Sequence, residues 1–401
     1  MAYQITLADL DWLQSPQGAS ALQQLACEQI GDGDRLRWLE RLRAAYGRDH
    51  AAAALETALL RQRATAKFAC ADRLYLTREA LEQASGDAIA RYRARRLAFV
   101  TRLGELGCGI GGDTMALSRV TQVVAVERDE LRLRMAVANV AACGHPAGMW
   151  PVCADWRTLR LSALPALYLD PSRRTEERRA FSIFCYDPPL TVLGELARET
   201  PHIAVKISPG VDYDELAQLG LDCEVEFISE KGTCKEAVLW LGGFRTCTRR
   251  ATLLPQEATL TDDGRLSSVP VVEPQRYLYE PDAAVIRAHL IEVLAQREGL
   301  AKIHPYIAYL TGDHLAQTPF ARAYRIAEAH RFSLRLLKER LRTLNVGELV
   351  IKKRGFPVEP ETFRRGLKLS GSQTRILFLT RTLHGPCMLI GELAESHAHA
   401  E

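Results

Sequence analysis

The sequence predicts an α/β protein: a parallel sheet preceded by an α-helical region and followed by a basic α+β module. Three observations lead there. Short apolar runs alternate with amphipathic stretches between Phe99 and Phe244, a glycine-rich turn spans Gly107, Gly109 and Gly111, and the charge balance turns strongly positive after residue 320. The expected divisions are 1–96, 97–245, 246–320 and 321–401. With 401 residues, 47% of them hydrophobic and 25% charged, one small module and wholesale disorder are both excluded.

From Leu7 to Arg96 alanine is abundant and leucine recurs at helical spacing, with breaks at Ser15-Pro16, Gly31-Asp-Gly33 and Gly47. Strands are expected at Gln122–Val126, Ala166–Leu169, Ile203–Ile207 and Ala237–Trp240, the last in a hairpin with Glu236 facing solvent, the alternative being the substrate cleft. Turn residues from Leu254 to Glu280 mark a small β-containing connector. Asp282–Arg297, Pro319–Ala329, Ser333–Leu344 and Pro360–Leu367 read as helices, and Gly347–Lys353 and Thr374–Thr380 as strands. Ten cysteines lie scattered without a Cys-x-x-Cys pair or a partnering His pair. That pattern disfavours a metal site and implies reduced thiols in a cytoplasmic protein; no apolar run has the length of a membrane span.

A strand running into closely spaced glycines and then a helix lets backbone amides approach a ligand, and the helix start favours negative charge. Glu127, at the end of the next strand, is the acidic residue expected to accept hydrogen bonds from ribose hydroxyls. An NAD enzyme would share these features. Asp155-Trp156 follows another strand and could hold an adenine amino group, the alternative being that Asp155 caps a turn.

In order, Glu105-x-Gly-x-Gly-x-Gly111, Ala125-Val-Glu127, Ala154-Asp155 and Leu167-Tyr-Leu-Asp170-Pro-Ser-Arg-Arg174 resemble the motif set of class I S-adenosylmethionine-dependent methyltransferases. The resemblance covers the middle third of the chain and implies a Rossmann-like sheet with S-adenosyl-L-methionine as cofactor. It places Glu105 near the methionine moiety, Glu127 at the ribose and Asp155 at the adenine. Asp113 either helps hold the methionine ammonium or caps the next helix. Catalysis falls to Asp170, Pro171, Ser172 and Arg173, since a carboxylate beside a prolyl turn can take a proton from an amine aligned with the methyl group. Arg173 and Arg174 stack on a base or hold phosphate, or else belong to a charged surface run with Glu176, Glu177, Arg178 and Arg179. Tyr186-Asp-Pro-Pro189 has the spelling of an acceptor motif but reads as a turn. The fourth strand lacks the second proline and aromatic ring usual in amine-methylating enzymes.

Lys67-Phe68 and Gln83-Ala-Ser85 resemble the segment before the core of trimethylguanosine synthases. That implies Gln83 and Ser85 near the cofactor carboxylate and Lys67 and Phe68 beside the acceptor, with Ser85 as a helix cap the alternative. Between Ala321 and Arg381 there are fifteen Lys and Arg against five Glu, whereas the whole chain is +3, so the remainder carries about −7. This stretch resembles the THUMP-like domain of bacterial methyltransferases, most clearly at Lys352-Lys-Arg-Gly355. The resemblance implies RNA docking, through Arg335, Lys338, Lys352, Lys353 and Arg354. The expected activity is RNA methylation at a base nitrogen. The alternatives are a non-catalytic protein binding cofactor and RNA, and a small-molecule methyltransferase.

Overall fold

Helix caps open the chain. In the computed structural model, which describes residues 3–173, 182–262 and 268–394, Thr6 and Asp9 cap one another's backbone at α1 (Leu7–Gln14). Ser15 ends that helix and caps α2 (Pro16–Ala26), whose first position suits proline because no intrahelical amide is needed there. α3 (Arg35–Tyr46) and α4 (Arg48–Ala64) meet at Gly47, and Trp12, Leu22, Leu25, Trp38, Leu42 and Leu55 pack into a shared core. α5 (Arg78–Gln83) and α6 (Asp87–Leu97) then lead into the sheet.

That sheet is built from β1 (Arg102–Leu106), α7 (Thr114–Leu117), β2 (Gln122–Glu127), α8 (Glu130–Cys143), β3 (Met149–Cys153) and β4 (Ala166–Leu169). A small ribbon of β5 (Ser172–Arg173) and β6 (Tyr186–Asp187) follows, then α9 (Leu193–Glu199), β7 (His202–Ile207) and α10 (Tyr213–Ala217). The described residues form two compact units, 1–224 with 237–246, and 225–236 with 247–401. In the first unit β3, β2, β1, β4 and β7 lie side by side and parallel, and Ala237–Leu241 runs antiparallel along β7. Leu167, Ile203, Ala204 and Val205 have no exposed surface, as strands covered on both faces require. The strand order reverses between β1 and β4, which opens a crevice at their carboxyl ends. Cys70 and Cys143 form a disulfide between the turn before Leu74 and the end of α8, so the expectation of reduced thiols throughout is corrected by a pairing of residues 73 apart in sequence.

In the second unit residues 225–230 of β8 (Cys223–Glu230) turn into residues 233–236 of β9 (Thr233–Leu241) through Lys231 and Gly232, both with left-handed φ as a two-residue hairpin turn demands. Glu236 is 4% exposed, not solvent-facing, because it begins the continuously buried part of β9. β10 (Arg249–Leu254) pairs parallel with β8 and antiparallel with β11 (Ala258–Thr261). Next come β12 (Tyr277–Pro281), α11 (Ala283–Arg287), α12 (Ile291–Glu298), β13 (Ala301–Lys302), β14 (Leu310–Gly312), β15 (Ala321–Arg331), α13 (Leu334–Thr343), β16 (Val346–Lys353), α14 (Pro360–Leu367), β17 (Gln373–Thr382) and β18 (Gly385–Leu393). The seven strands from β12 onward form one sheet in the order β13-β14-β12-β15-β18-β17-β16, with Leu337, Leu341, Leu377 and Ile390 in its core.

Two expected helices differ. Asp282–Arg297 is broken into α11 and α12 where His289 takes a left-handed φ of 55°. Pro319–Ala329 is strand β15, whose burial alternates along nearly its whole length; its alanines suggested a helix, but the period-two alternation fits a sheet. No helix among the described residues is long and apolar enough to cross a membrane.

Candidate active site

At the end of β1 the chain turns through Gly107, Gly109 and Gly111, whose φ values of 84°, 55° and 80° lie where L side chains are strained. The Gly107 and Cys108 amides both donate to the Val126 carbonyl, at 2.9 and 3.0 Å. Gly109 donates to Glu127 Oε2 at 3.0 Å, and the Asp129 amide donates to Oε1 at 3.0 Å, so the carboxylate ending β2 is fixed beside the turn. The glycines serve different ends. A Cβ on Gly111 would lie 3.1 Å from Ala136 Cα, so this position lets α8 pack closely; a Cβ on Gly109 would meet nothing within 4 Å, leaving a cradle of open backbone.

Beneath the turn lies a buried charge cluster. Glu105, 3% exposed, accepts a 2.7 Å hydrogen bond from Thr114 Oγ1; burial, reinforced by the nearby Asp113 carboxylate, holds its carboxyl well above the usual range. Asp113 pairs with Arg93 of α6 and accepts a 2.9 Å bond from the Tyr168 hydroxyl. Burial by itself would raise Asp113, but Arg93 and Lys206 outweigh it and hold the carboxyl below its ordinary value. Arg93 is 1% exposed and its guanidinium lies over the Tyr168 ring. Asp113 stands at the N-cap position of α7, but its side chain makes no capping hydrogen bond and its carboxylate is committed to the cluster instead.

The Asp170-Pro171-Ser172 segment, expected from sequence to receive the acceptor, begins beside the same turn. The Asp170 carbonyl lies 4.0 Å from where a Gly107 Cβ would stand, and Asp170 Oδ2 accepts a 2.6 Å bond from Lys206 Nζ. Lys206, near the end of β7, also reaches the Gln83 carbonyl at 3.3 Å. A Cβ on Gly112 would sit 3.5 Å from the Ala84 methyl, which sets the Gln83–Ser85 loop against the glycine turn. Lys67 supports that loop by donating to the Leu81, Glu82 and Ala84 carbonyls at the end of α5, where a cation suits the helix dipole. Phe68 is buried, Gln83 is exposed, and Ser85 is buried one residue before Gly86, which occupies the cap position of α6.

Asp187 lies opposite Ser172 in the β5–β6 ribbon, and its carboxylate is 3.9 Å from Arg128, the residue after Glu127. The Tyr186-Asp-Pro-Pro189 segment, read from sequence as an unrelated turn, therefore stands beside Asp170-Pro171-Ser172. Tyr186 anchors it by accepting a 2.7 Å bond from the Ser208 amide. Asp155 caps the turn at Trp156–Thr158 and forms a bidentate pair with Arg157, which holds its carboxyl at about 2; Trp156 is half-buried. The backbone of Arg173 is described in β5, while Arg174, Glu176, Glu177, Arg178 and Arg179 lie outside the described residues.

Sequence reasoning missed Arg93, Tyr168, Lys206 and Asp187 as members of the cluster. Lys206 carried a signal: a charged residue near the carboxyl end of an otherwise apolar parallel strand points into the ligand crevice of such sheets. Arg93 carried none, being one of several arginines on α6.

On the basic unit, Arg335 and Lys338 make no ion pair among the described residues. Lys352 and Arg354 instead flank Glu280, whose carboxyl burial would raise but Lys352 holds below its usual value, and Lys353 donates to the Val358 carbonyl.

The fold and the glycine turn with its neighbouring carboxylates define a class I methyltransferase. Comparison with known proteins agrees: the chain is 35% identical over 355 residues, 85% of its length and 95% of the relative's, to an uncharacterized S-adenosylmethionine-dependent methyltransferase found in two strains of Mycobacterium tuberculosis. The chain belongs to the S-adenosylmethionine-dependent methyltransferases, and S-adenosylmethionine is its cofactor. A crystal structure of a candidate methyltransferase from Porphyromonas gingivalis W83 shares the fold, with a TM-score of 0.75 at 24% identity over 92% of this chain and 100% of that one. Residues 321–393 match the family described as THUMP domain-like, and residues 6–64 match a domain of unknown function. The site suits the cofactor, since open backbone at Gly109 adjoins a fixed acidic acceptor at Glu127.

Proposed function

We propose that the protein methylates RNA at a base nitrogen in the cytoplasm, with the THUMP-like domain docking the RNA. The observation that carries this reading is the pairing of an acceptor carboxylate, Asp170, with the glycine turn in a chain that concentrates an excess of ten positive charges between Ala321 and Arg381. Glu127 receives the ribose hydroxyls, Asp155 and Trp156 border the adenine, and Gln83, Ser85, Glu105 and Asp113 border the methionine portion, over Gly107, Gly109 and Gly111. When bound, S-adenosylmethionine supplies an electrophilic methyl group. Asp170, held by Lys206, orients the attacking amine and accepts its proton, while Pro171, Ser172 and Arg173 shape the turn that receives the base.

The resemblance of the Lys67–Ser85 segment to trimethylguanosine synthases supports a loop that borders cofactor and acceptor together. The test is incubation of the protein with labelled cofactor and RNA from cells lacking it, followed by nucleoside mass spectrometry. A methylated base made by the wild type and not by Asp170→Ala is the expected result; transfer unchanged by that substitution would refute the catalytic assignment.

A further inference from the structure

We propose that a concavity between α13 and α14 is a binding site for a backbone phosphate of RNA, a site that rests on the RNA reading above and locates it. The cavity holds about 150 Å³, roughly ten times the minimum for one water. Its rim carries Lys338, Arg342 and Lys368, and no carboxylate lines it. Leu341 and Leu367 form part of an apolar floor, and Ser370, which is exposed, and Gly371 complete the edge.

What distinguishes this cavity is that three cations line one hollow without a carboxylate. Many cations of the unit are neutralised, Arg340 by Glu328, Lys352 and Arg354 by Glu280, Arg325 and Arg375 by Glu392, and Arg364 by Glu361, while Arg331, Arg335, Arg365 and Arg381, which have no carboxylate partner among the described residues, do not line this cavity. Lys338, Arg342 and Lys368 have no carboxylate partner among the described residues. Lys338 and Arg342 stand one turn apart on α13, a repulsive spacing for like charges. The dipole of α13 accounts for a cation in its last turn, Arg342, but not for Lys338 a turn earlier. Lys368 closes α14 in the left-handed conformation (φ 51°), and the chain then turns back so that the Gly371 amide donates to the Val346 carbonyl, just beyond α13, at 3.1 Å. Three uncompensated cations around one polar-rimmed hollow are matched by an oxyanion, and in a methyltransferase with a nucleic-acid substrate the abundant oxyanion is the phosphodiester.

The test compares wild type, K338Q/R342Q/K368Q and a control, R331Q/R365Q/R381Q, that removes the same charge from exposed positions outside the cavity. The probe is fluorescein-labelled total RNA from cells lacking the protein. The first variant should bind at least about tenfold more weakly at physiological salt, with the slope of log affinity against log salt reduced by about 2, while calorimetric affinity for S-adenosylmethionine stays at the wild-type value. The control should lose clearly less, and K338R/K368R should bind as the wild type does; retained melting temperatures confirm that all variants fold. Equal losses in the cavity variant and the control would overturn the site in favour of diffuse attraction. RNA methylation with unchanged KM in K338Q/R342Q/K368Q would overturn the site and leave the RNA reading intact. A wild type that neither binds nor methylates the RNA, or that binds phosphatidylglycerol vesicles in its place, would overturn both.

Discussion

The proposed chemistry rests on Asp170 and the Lys206 that holds it. Asp170→Asn keeps size and hydrogen bonding but cannot accept a proton, so methyl transfer should fall about a hundredfold or more, while cofactor affinity by calorimetry changes less than about twofold. Lys206→Met should lower kcat more than it raises KM for the acceptor, and Lys206→Arg should restore part of the loss; equal effects on both parameters would point to a general structural role. Asp113 and Glu105 titrate in opposite senses. Asp113 is depressed, so its pair with Arg93 contributes stability above its unfolded value of about 3.9 and loses it as pH falls through the lower folded value. Glu105 is raised, so folding favours its protonated form and its contribution turns unfavourable as pH rises above about 4.3. Urea midpoints across pH should therefore show Asp113→Asn losing part of the acid-limb dependence and Glu105→Gln gaining on wild type as pH rises. At neutral pH Asp113→Asn should cost about 3–5 kcal/mol, because Arg93 is left buried without its carboxylate.

Elements act through how closely they approach. Gly111 lets α8 lie against the turn, and a valine there would combine a φ of 80° with a 3.1 Å contact on Ala136. Gly111→Val should destabilise by about 2–4 kcal/mol, measured by urea unfolding, and weaken cofactor binding as well. The N-terminal breaks, the glycine turn, α13 and α14 were legible because caps, prolines and glycines act locally. β15 was not, since alanine and arginine suit a helix and only its neighbours β12 and β18 supply the hydrogen bonds that hold it as a strand. The β5–β6 ribbon was equally hidden: nothing in the chain says that Asp187 returns to Ser172.

For the whole molecule, the proposed function implies two kinds of recognition separated by the segregation of charge. On that reading binding of RNA should weaken steeply between low and physiological salt, whereas S-adenosylmethionine, assigned to the glycine turn and its carboxylates, should bind with little salt dependence. Parallel calorimetric titrations at two ionic strengths check this, and a cofactor affinity that fell as steeply as the RNA affinity would contradict it.

The chain by itself determined the order of motifs, the cofactor class and the location of the basic excess, because these depend on residue types at short spacing. Only the tertiary structure decided which charges are spent on one another. Asp113 is held by Arg93 and Tyr168, Lys206 joins Asp170 to the Gln83 loop, and Lys352 and Arg354 answer Glu280 while Lys338 has no carboxylate partner among the described residues. The reason is physical: ion pairing is set by distances of a few ångströms across strands and helices remote in sequence, and no local pattern encodes those distances.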